Sequence, residues 1–548
     1  QSHEDAHRLA TYKNYDTAIG TYGQFPGGGF ASDENARPGY VDPRQGFETC
    51  SMVEFMHSFE MLTKITGDPV WADRCEEMAF NNLPASSTAD YKALHYLTGA
   101  NQVQLDKGNK APGIQNDGTM FSYSPFAVYR CCQHNVSHGW PYYVEESWLA
   151  TSDAGLCVSL YCESEVTAKV GAAGGREVKI VESTNYPFSE RVEFKLSMRE
   201  SAKFPLYLRV PRWTPEPAVR INGNQVEITD AKPPCYVVVE REWKDGDAVT
   251  LDLPMQIALR MWAKNHGSVS VDLGPLTFSL KIGEQYKRYG GSDAWPEYEV
   301  YPATPWNYGL VLDANDPRTS FETVSRAGPL PANPFKDPPI SLKAKGRRLS
   351  AWTLDGNNLL HPLQDSPVKS DQPVEEIELI PMGAARLRIT AFPVIGSGAD
   401  AKEWTIPPRP PKVSHCFAND TPLALNDGLV PESSNDHSIP RMTWWDHKGT
   451  TEWVEYDFDK PRKLSRTEVY WFDDETGPQK GQCRTPASWK LLYKSGDGWK
   501  EVANASGYGV EKDKFNPITF DAVETPAIRL EAKLKPNVSG GILEWRVE

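Results

Sequence analysis

The sequence predicts a multidomain α + β chain, helical over residues 1–154 and β-rich from there to residue 548. Three observations predict it. Apolar residues recur at helical spacing early in the chain, as in Met52, Phe55, Met56, Phe59 and Leu62. From Gly155 the period drops to two, most clearly over 191–197 and 205–210. A stiff Pro407-Pro408-Arg409-Pro410-Pro411 run then sets off a last unit, 412–548. A chain of 548 residues has room for about three domains of ordinary size.

Each element follows from local signals. Ala6, Leu9 and Tyr12 lie at helical spacing in the first segment. Residues 23–43 are rich in Gly and Pro and read as a long loop, the usual place for a catalytic rim. A helix is expected over 46–66, stopped by Gly67-Asp68-Pro69, and another over 69–83, ending before Pro84. Residues 88–130 read as loop and short strands. A further helix over 133–149 contains Gly139 and Pro141, which predict a kink or a split. Strands are expected over 156–166, 178–181, 191–197 and 205–210, with a hairpin turn at Ile221-Asn222-Gly223-Asn224. The region 155–400 reads as β-sandwich, divided into 155–285 and 340–400 by a poorly patterned stretch. The unit 412–548 consists of short strands.

The net charge is −15 and the pI about 5.4, which argues against nucleic acid or an anionic membrane surface as partner. No apolar run of about 18 residues is present, so no membrane-spanning helix is expected. The chain has 17 Trp, 23 Tyr and 20 Phe, which fits sugar stacking and fits large β domains equally well. Six of the nine cysteines are scattered and form no disulfide framework. The other three lie in two clusters, Glu48-Thr49-Cys50 and Cys131-Cys132. Adjacent cysteines rarely bridge each other, because the ring across one peptide bond is strained. Three thiolates and a carboxylate are a full tetrahedral ligand set for zinc. Both clusters sit at expected helix starts, where the positive end of the helix dipole favours thiolate. The residues alone leave two readings open: a closed zinc site that staples two helices, or a metal-held nucleophile.

At these residues the chain resembles the β-L-arabinofuranosidase family of zinc-dependent cysteine glycosidases, glycoside hydrolase family 127 and relatives. The likeness runs from about Gly27 to Lys169. It includes Gly27-Gly28, Asp33-Glu34-Asn35, Asp42-Pro43-Arg44-Gln45, Glu48-Thr49-Cys50, Thr66-Gly67-Asp68 and Cys131-Cys132-Gln133-His134-Asn135. The spaced Glu-Thr-Cys and the Cys-Cys pair are its specific part. The resemblance implies zinc held by Glu48, Cys50, Cys131 and Cys132, with Cys131 as nucleophile and Glu34 as acid/base. Asp33 is the fallback for that last role. It also implies an (α/α)6 helical barrel followed by β-sandwiches. Too few helices precede Gly155 to close such a barrel, so a missing N-terminal barrel segment is expected. Residues 412–548 resemble discoidin-like jelly-roll modules, which often bind glycans. That likeness implies a calcium ion near Asp427 and a glycan face at Trp444, Trp445 and Trp471, unless these tryptophans fill the core.

The expected activity is retaining hydrolysis that releases L-arabinofuranose or a related rare sugar from plant pectic glycans, by a periplasmic or secreted bacterial enzyme. The rivals are a related hydrolase for another pectic sugar, and a non-catalytic carbohydrate-binding protein with a structural zinc site. His134 and Trp140 are candidate substrate contacts, although an aromatic helix core is the commoner use of Trp140, Tyr142 and Tyr143. His138 is expected on a packed helix surface. Local sequence leaves the roles of Arg44 and His57 open.

Overall fold

The computed structural model describes residues 25–29, 42–110, 120–125, 131–172, 174–228, 232–405, 410–418, 420–477 and 480–548. It is mostly β, with few helices. A two-residue strand, Phe47–Glu48, pairs with Leu97–Thr98 and runs straight into helix α1, Thr49–Thr66. Met52, Val53, Met56, Phe59 and Leu62 form its buried stripe. Gly67 ends it in a left-handed conformation (φ 68°), and its N–H donates to the Thr63 carbonyl. Helix α2, Val70–Glu77, follows Pro69 and stacks Trp71 on Phe59 of α1. The single helix expected over 69–83 instead changes at Met78–Asn82 into a π-helical segment. Helix α3, Cys131–Glu145, contains Pro141. It packs against α1 and the following turn at Gly139, where a β-carbon would lie 2.6 Å from Leu83 Cδ2 and 3.4 Å from Val53 Cγ2. A larger residue there would have to displace the Leu83 side chain.

The end of the expected last helix is not helical. Trp148–Ala150 is a strand and opens the first β unit. One face of that unit is a four-stranded sheet in the order Cys235–Trp243, Ala202–Val210, Leu156–Val158, Trp148–Ala150. The other is six-stranded and contains Ser164–Val170, Arg176–Thr184, Arg191–Met198 and Ala248–Asp252. The expected strand 156–166 is therefore two strands in two sheets. The predicted hairpin turn is present, with Asn222 and Gly223 both at positive φ.

Strands Ile257–Trp262, Ser268–Leu273 and Leu276–Leu280 do not join that unit. They pair onward to Val374–Pro381, Ile340–Arg348 and Tyr308–Leu310 in a seven-stranded sheet. The stretch without clear pattern holds a hairpin, Glu284–Gly291 with Pro296–Pro302. Its second strand reaches back to the helical part: Leu105 N–H donates to the Val300 carbonyl (2.9 Å) and Tyr123 N–H to that of Tyr298 (2.9 Å). One apolar core runs from Phe47 to Trp404 across all these elements. A separate core, Leu425 to Trp545, fills the C-terminal sheet. Trp444 and Trp471 are fully buried in it, so the expected glycan face loses two of its three rings; the burial they gain as large apolar surface explains why. Trp445 is half-buried, with Lys448 Nζ 4.8 Å from its ring centre.

Candidate metal centre

Two helix starts bring the sequence clusters together. Pairing of Phe47–Glu48 with Leu97–Thr98 fixes the entry to α1, and Thr49 N–H donates to the Tyr96 carbonyl (3.0 Å). Close packing of α3 on α1 then sets Cys131 and Cys132 beside Glu48 and Cys50. One ligand atom from each of the four lies within 4.8 Å of all the others. Cys131 and Cys132 each donate to Glu48 Oε1, at 3.7 and 3.8 Å, and Cys50 Sγ lies 3.2 Å from Cys132 Sγ. A tetrahedral zinc with bonds near 2.3 Å spaces its sulfurs about 3.8 Å apart, so small movements complete such a shell. Cys50 and Cys132 are buried, Glu48 is half-buried, and Cys131 is the exposed member of the four.

The thiols are in competition for protons. Cys50 is held below its usual range, chiefly by the hydrogen bond from Cys132. Cys132 is pushed far up by that same bond and by burial. Cys131 is pushed up by burial, with the negative charge of Cys50 and Glu48 adding to it. All three cannot ionise beside a carboxylate unless a cation joins them. The donor set therefore fits a soft divalent ion, and its chemistry is compatible with zinc. Among the described residues this is the one cluster of its kind. All nine cysteines are free of disulfides.

Tyr96 is a site residue that sequence reasoning missed. Its hydroxyl lies 3.2 Å from Cys131 Sγ, while the residue itself is buried. Only the pairing of Leu97–Thr98 with Phe47–Glu48 puts it there, and no local signal marks it. Neighbouring His95 is buried and pushed down to about 3, by burial and then by the Arg388 charge, so it stays neutral. Glu34 and Asp33 lie outside the described residues. His134 is exposed on the first turn of α3. Trp140 spends its ring on Phe80, Tyr143 and Phe335, at centroid distances of 6.0, 5.9 and 6.4 Å, so its observed contacts are those of a packing residue. His138 and His57 both pack on Tyr142. Arg44 forks onto Asp42 (2.7 Å) and donates to the Leu360 carbonyl (2.8 Å).

A second acidic site lies in the C-terminal unit. Asp427 Oδ2 and Glu544 Oε2 are buried atoms with no hydrogen-bond partner among the described residues. Burial raises both carboxyls, Glu544 to about 7, and Glu544 raises Asp427 further. Two such oxygens are suited to a hard cation such as calcium.

Comparison with known proteins agrees with the fold. Residues 1–145 match the model of the β-L-arabinofuranosidase GH127 catalytic domain, and residues 155–255 that of the GH127 middle domain. The structure is similar to a GH127 β-L-arabinofuranosidase from Geobacillus stearothermophilus T6 at 21% identity, covering 72% of this chain and 58% of that one, with a TM-score of 0.50. It is also similar to a GH127 β-arabinofuranosidase at 16% identity, covering 73% of this chain and 60% of that one (TM-score 0.52). A solved glycoside hydrolase is similar at 19% identity, with 69% and 61% covered (TM-score 0.51). The chain thus spans about three fifths of the length of these relatives. No curated protein matches it. The family matches are to glycoside hydrolases: residues 1–145 are similar to the catalytic domain, and residues 155–255 to the middle domain, of glycoside hydrolase family 127.

Proposed function

We propose that the chain is a retaining glycosidase that releases L-arabinofuranose, or a related rare sugar, from plant pectic glycans. The observation that carries this reading is the convergence of Glu48, Cys50, Cys131 and Cys132, with Cys131 the most exposed of the four. Zinc, held by these four, would keep the thiols deprotonated near neutral pH. The remaining chemistry belongs to the side chains. Cys131 Sγ attacks the anomeric carbon as the bond to the leaving oxygen breaks, and Glu34 gives that oxygen its proton. Glu34, now a carboxylate, takes a proton from water. The resulting oxygen attacks the anomeric carbon, the C–S bond breaks, and the thiolate returns. Tyr96, in reach of the same sulfur, orients it between the two steps. His134, exposed one turn away, is placed to touch substrate.

The same reading takes residues 412–548 as a glycan-binding module with calcium at Asp427 and Glu544, and places the enzyme in the periplasm or outside the cell. Among the described residues no helix is long and apolar enough to cross a membrane.

The test is hydrolysis of an aryl β-L-arabinofuranoside, with mass spectrometry of rapidly quenched protein. The sugar should be found on Cys131, and Cys131→Ser should abolish turnover. A sugar adduct on another residue would overturn the nucleophile assignment. Zinc retention without turnover on any pectic sugar would favour the structural-zinc alternative, whose support is that all four tetrahedral positions are filled by protein.

A further inference from the structure

A cleft of about 960 Å³ opens between the second β unit and the C-terminal unit. That is the upper end of the volume range for ligand sites. Its floor is the segment Asp42–Gln45, immediately before the strand that carries Glu48. Gln45 is 1% exposed and lines the cleft, yet its side-chain Nε2 has no hydrogen-bond partner among the described residues. A buried amide donor without a partner is costly, and a ligand that accepts from it removes the cost. Glu48 is three positions after Gln45, so the floor lies within roughly 11 Å along the chain of the metal cluster.

The chemistry of the walls narrows the ligand. Their acids, Asp42, Asp365, Glu403 and Asp427, outnumber the bases Arg44, Lys264 and Lys402 by one, and burial raises the Asp427 carboxyl well above its usual range. Most are paired already: Arg44 with Asp42, Lys402 with Asp365 (2.7 Å), and His266 Nδ1 with Asp365 (2.9 Å). No excess of positive charge is left to select an anion. What remains are the planar amides of Gln45 and Asn426, between small apolar surfaces at Leu363, Leu423 and Pro362, while Gln364 is held to Thr405 at both ends of its amide. Planar donor–acceptor groups beside apolar patches match vicinal hydroxyls and the C–H face of a sugar ring.

We propose that this cleft is a subsite for a neutral oligosaccharide, which it holds between the catalytic part and the C-terminal unit. The choice of sugar rests on the glycosidase reading; the uncharged, hydroxyl-rich class does not. The experiment is calorimetric titration of the zinc-loaded Cys131→Ser protein with a neutral L-arabino-oligosaccharide and, separately, an anionic oligogalacturonide. Gln45→Leu should weaken the neutral ligand at least about tenfold. His266→Ala, on the exposed rim, should also weaken it and guards against a folding defect from the buried change. Binding of the neutral probe should be insensitive to salt. The proposal is overturned if the parent protein does not bind the neutral probe, if both variants bind it like the parent, or if the anionic probe binds tighter and loses affinity in the variants. Aryl-arabinofuranoside hydrolysis by the chain with Cys131 intact is measured separately. No turnover with variant-sensitive binding would sink the glycosidase reading and leave the cleft standing. Turnover with variant-insensitive binding would do the reverse.

Discussion

Two groups of acids taken out of water in the helical part are handled in opposite ways. On α2, Asp73, Glu76 and Glu77 are surrounded by arginines from other elements. Arg209, fully buried on strand Ala202–Val210, forks to Asp73 and Glu76, and Tyr186 donates to Glu76 (2.7 Å). Arg212 (2.9 Å), Arg260 and Arg74 converge on Glu77. Arg260 comes from Ile257–Trp262, so this network ties α2 to both β units. At the start of α1, by contrast, thiols and a carboxylate crowd onto one another: Cys50 Sγ lies 3.2 Å from Cys132 Sγ, and Cys131 and Cys132 donate to Glu48 Oε1 at 3.7 and 3.8 Å. Compensated acids are structural glue. Thiols packed on a carboxylate, with one of them open to solvent, are a donor set for a soft cation.

The largest effect is expected at the thiol cluster, where a cation would bind. Cys50→Ala removes one of four ligands and should leave less than one zinc per chain by elemental analysis. Turnover should fall by more than roughly 100-fold, the upper end of what changes outside the ligand shell cost. Full zinc content in the variant would show that the cluster does not behave as a metal site, and the contrast between the two acid groups would fail.

Next is Arg209→Met, which strands Asp73 and Glu76 in the interior. Breaking a buried pair from one side costs about 3–5 kcal/mol, read as a lower midpoint in urea. Adding Glu76→Gln should return part of that loss, because burial already pushes Glu76 up to about 7 despite Arg209. If the single variant is as stable as the parent, the network is not the glue.

How much of this contrast the sequence carried is instructive. The metal cluster was legible because its residues come in short, chemically unusual groups at helix starts. Tyr96 was not, since its place depends on pairing between strands about fifty residues apart. Arg209 was not either, because an Arg in an alternating strand reads as solvent-facing, and its partners Asp73 and Glu76 lie 136 and 133 residues away. The same limit hid the second sheet. The sequence reads 155–285 and 340–400 as β-sandwich, but patterning cannot say which strands pair. Trp444 and Trp471 have equal claims to a core and to a sugar platform in sequence, and burial alone decided for the core.

The third prediction uses pH to separate the acids. Burial pushes Glu77 up, but Arg260, Arg212 and Arg74 outweigh it and hold the carboxyl at about 2. A carboxyl depressed in the folded state adds stability above its unfolded value of 4.5, and that stability is lost as pH falls toward 2. The acid limb of the stability curve should therefore steepen between these values by an amount on the order of 3 kcal/mol. Glu77→Gln should flatten it. Glu76 works in the other direction: raised to about 7, it lowers stability as pH rises from 4.5 toward 7. An acid limb unchanged in Glu77→Gln would mean that the arginines do not act through that charge.

The smallest effect is expected where the same chemistry faces water. Lys490 and Glu531 sit directly opposite each other on strands Ser488–Ser495 and Phe515–Lys533, 3.0 Å apart, with side chains 46% and 23% exposed. Their separation is as short as the Arg212–Glu77 contact, so distance alone would rank the two pairs together. Solvent separates them, because an exposed pair gains little Coulomb energy and must still immobilise two long side chains. Lys490→Ala should cost under about 1 kcal/mol, and about 1 M salt, which shortens the screening length to roughly 3 Å, should remove the difference from the parent. Arg209→Met should keep nearly all of its deficit in the same salt, since its charges are buried. A salt-resistant loss at Lys490 as large as that at Arg209 would mean that burial is not what distinguishes the α2 network from an ordinary ion pair.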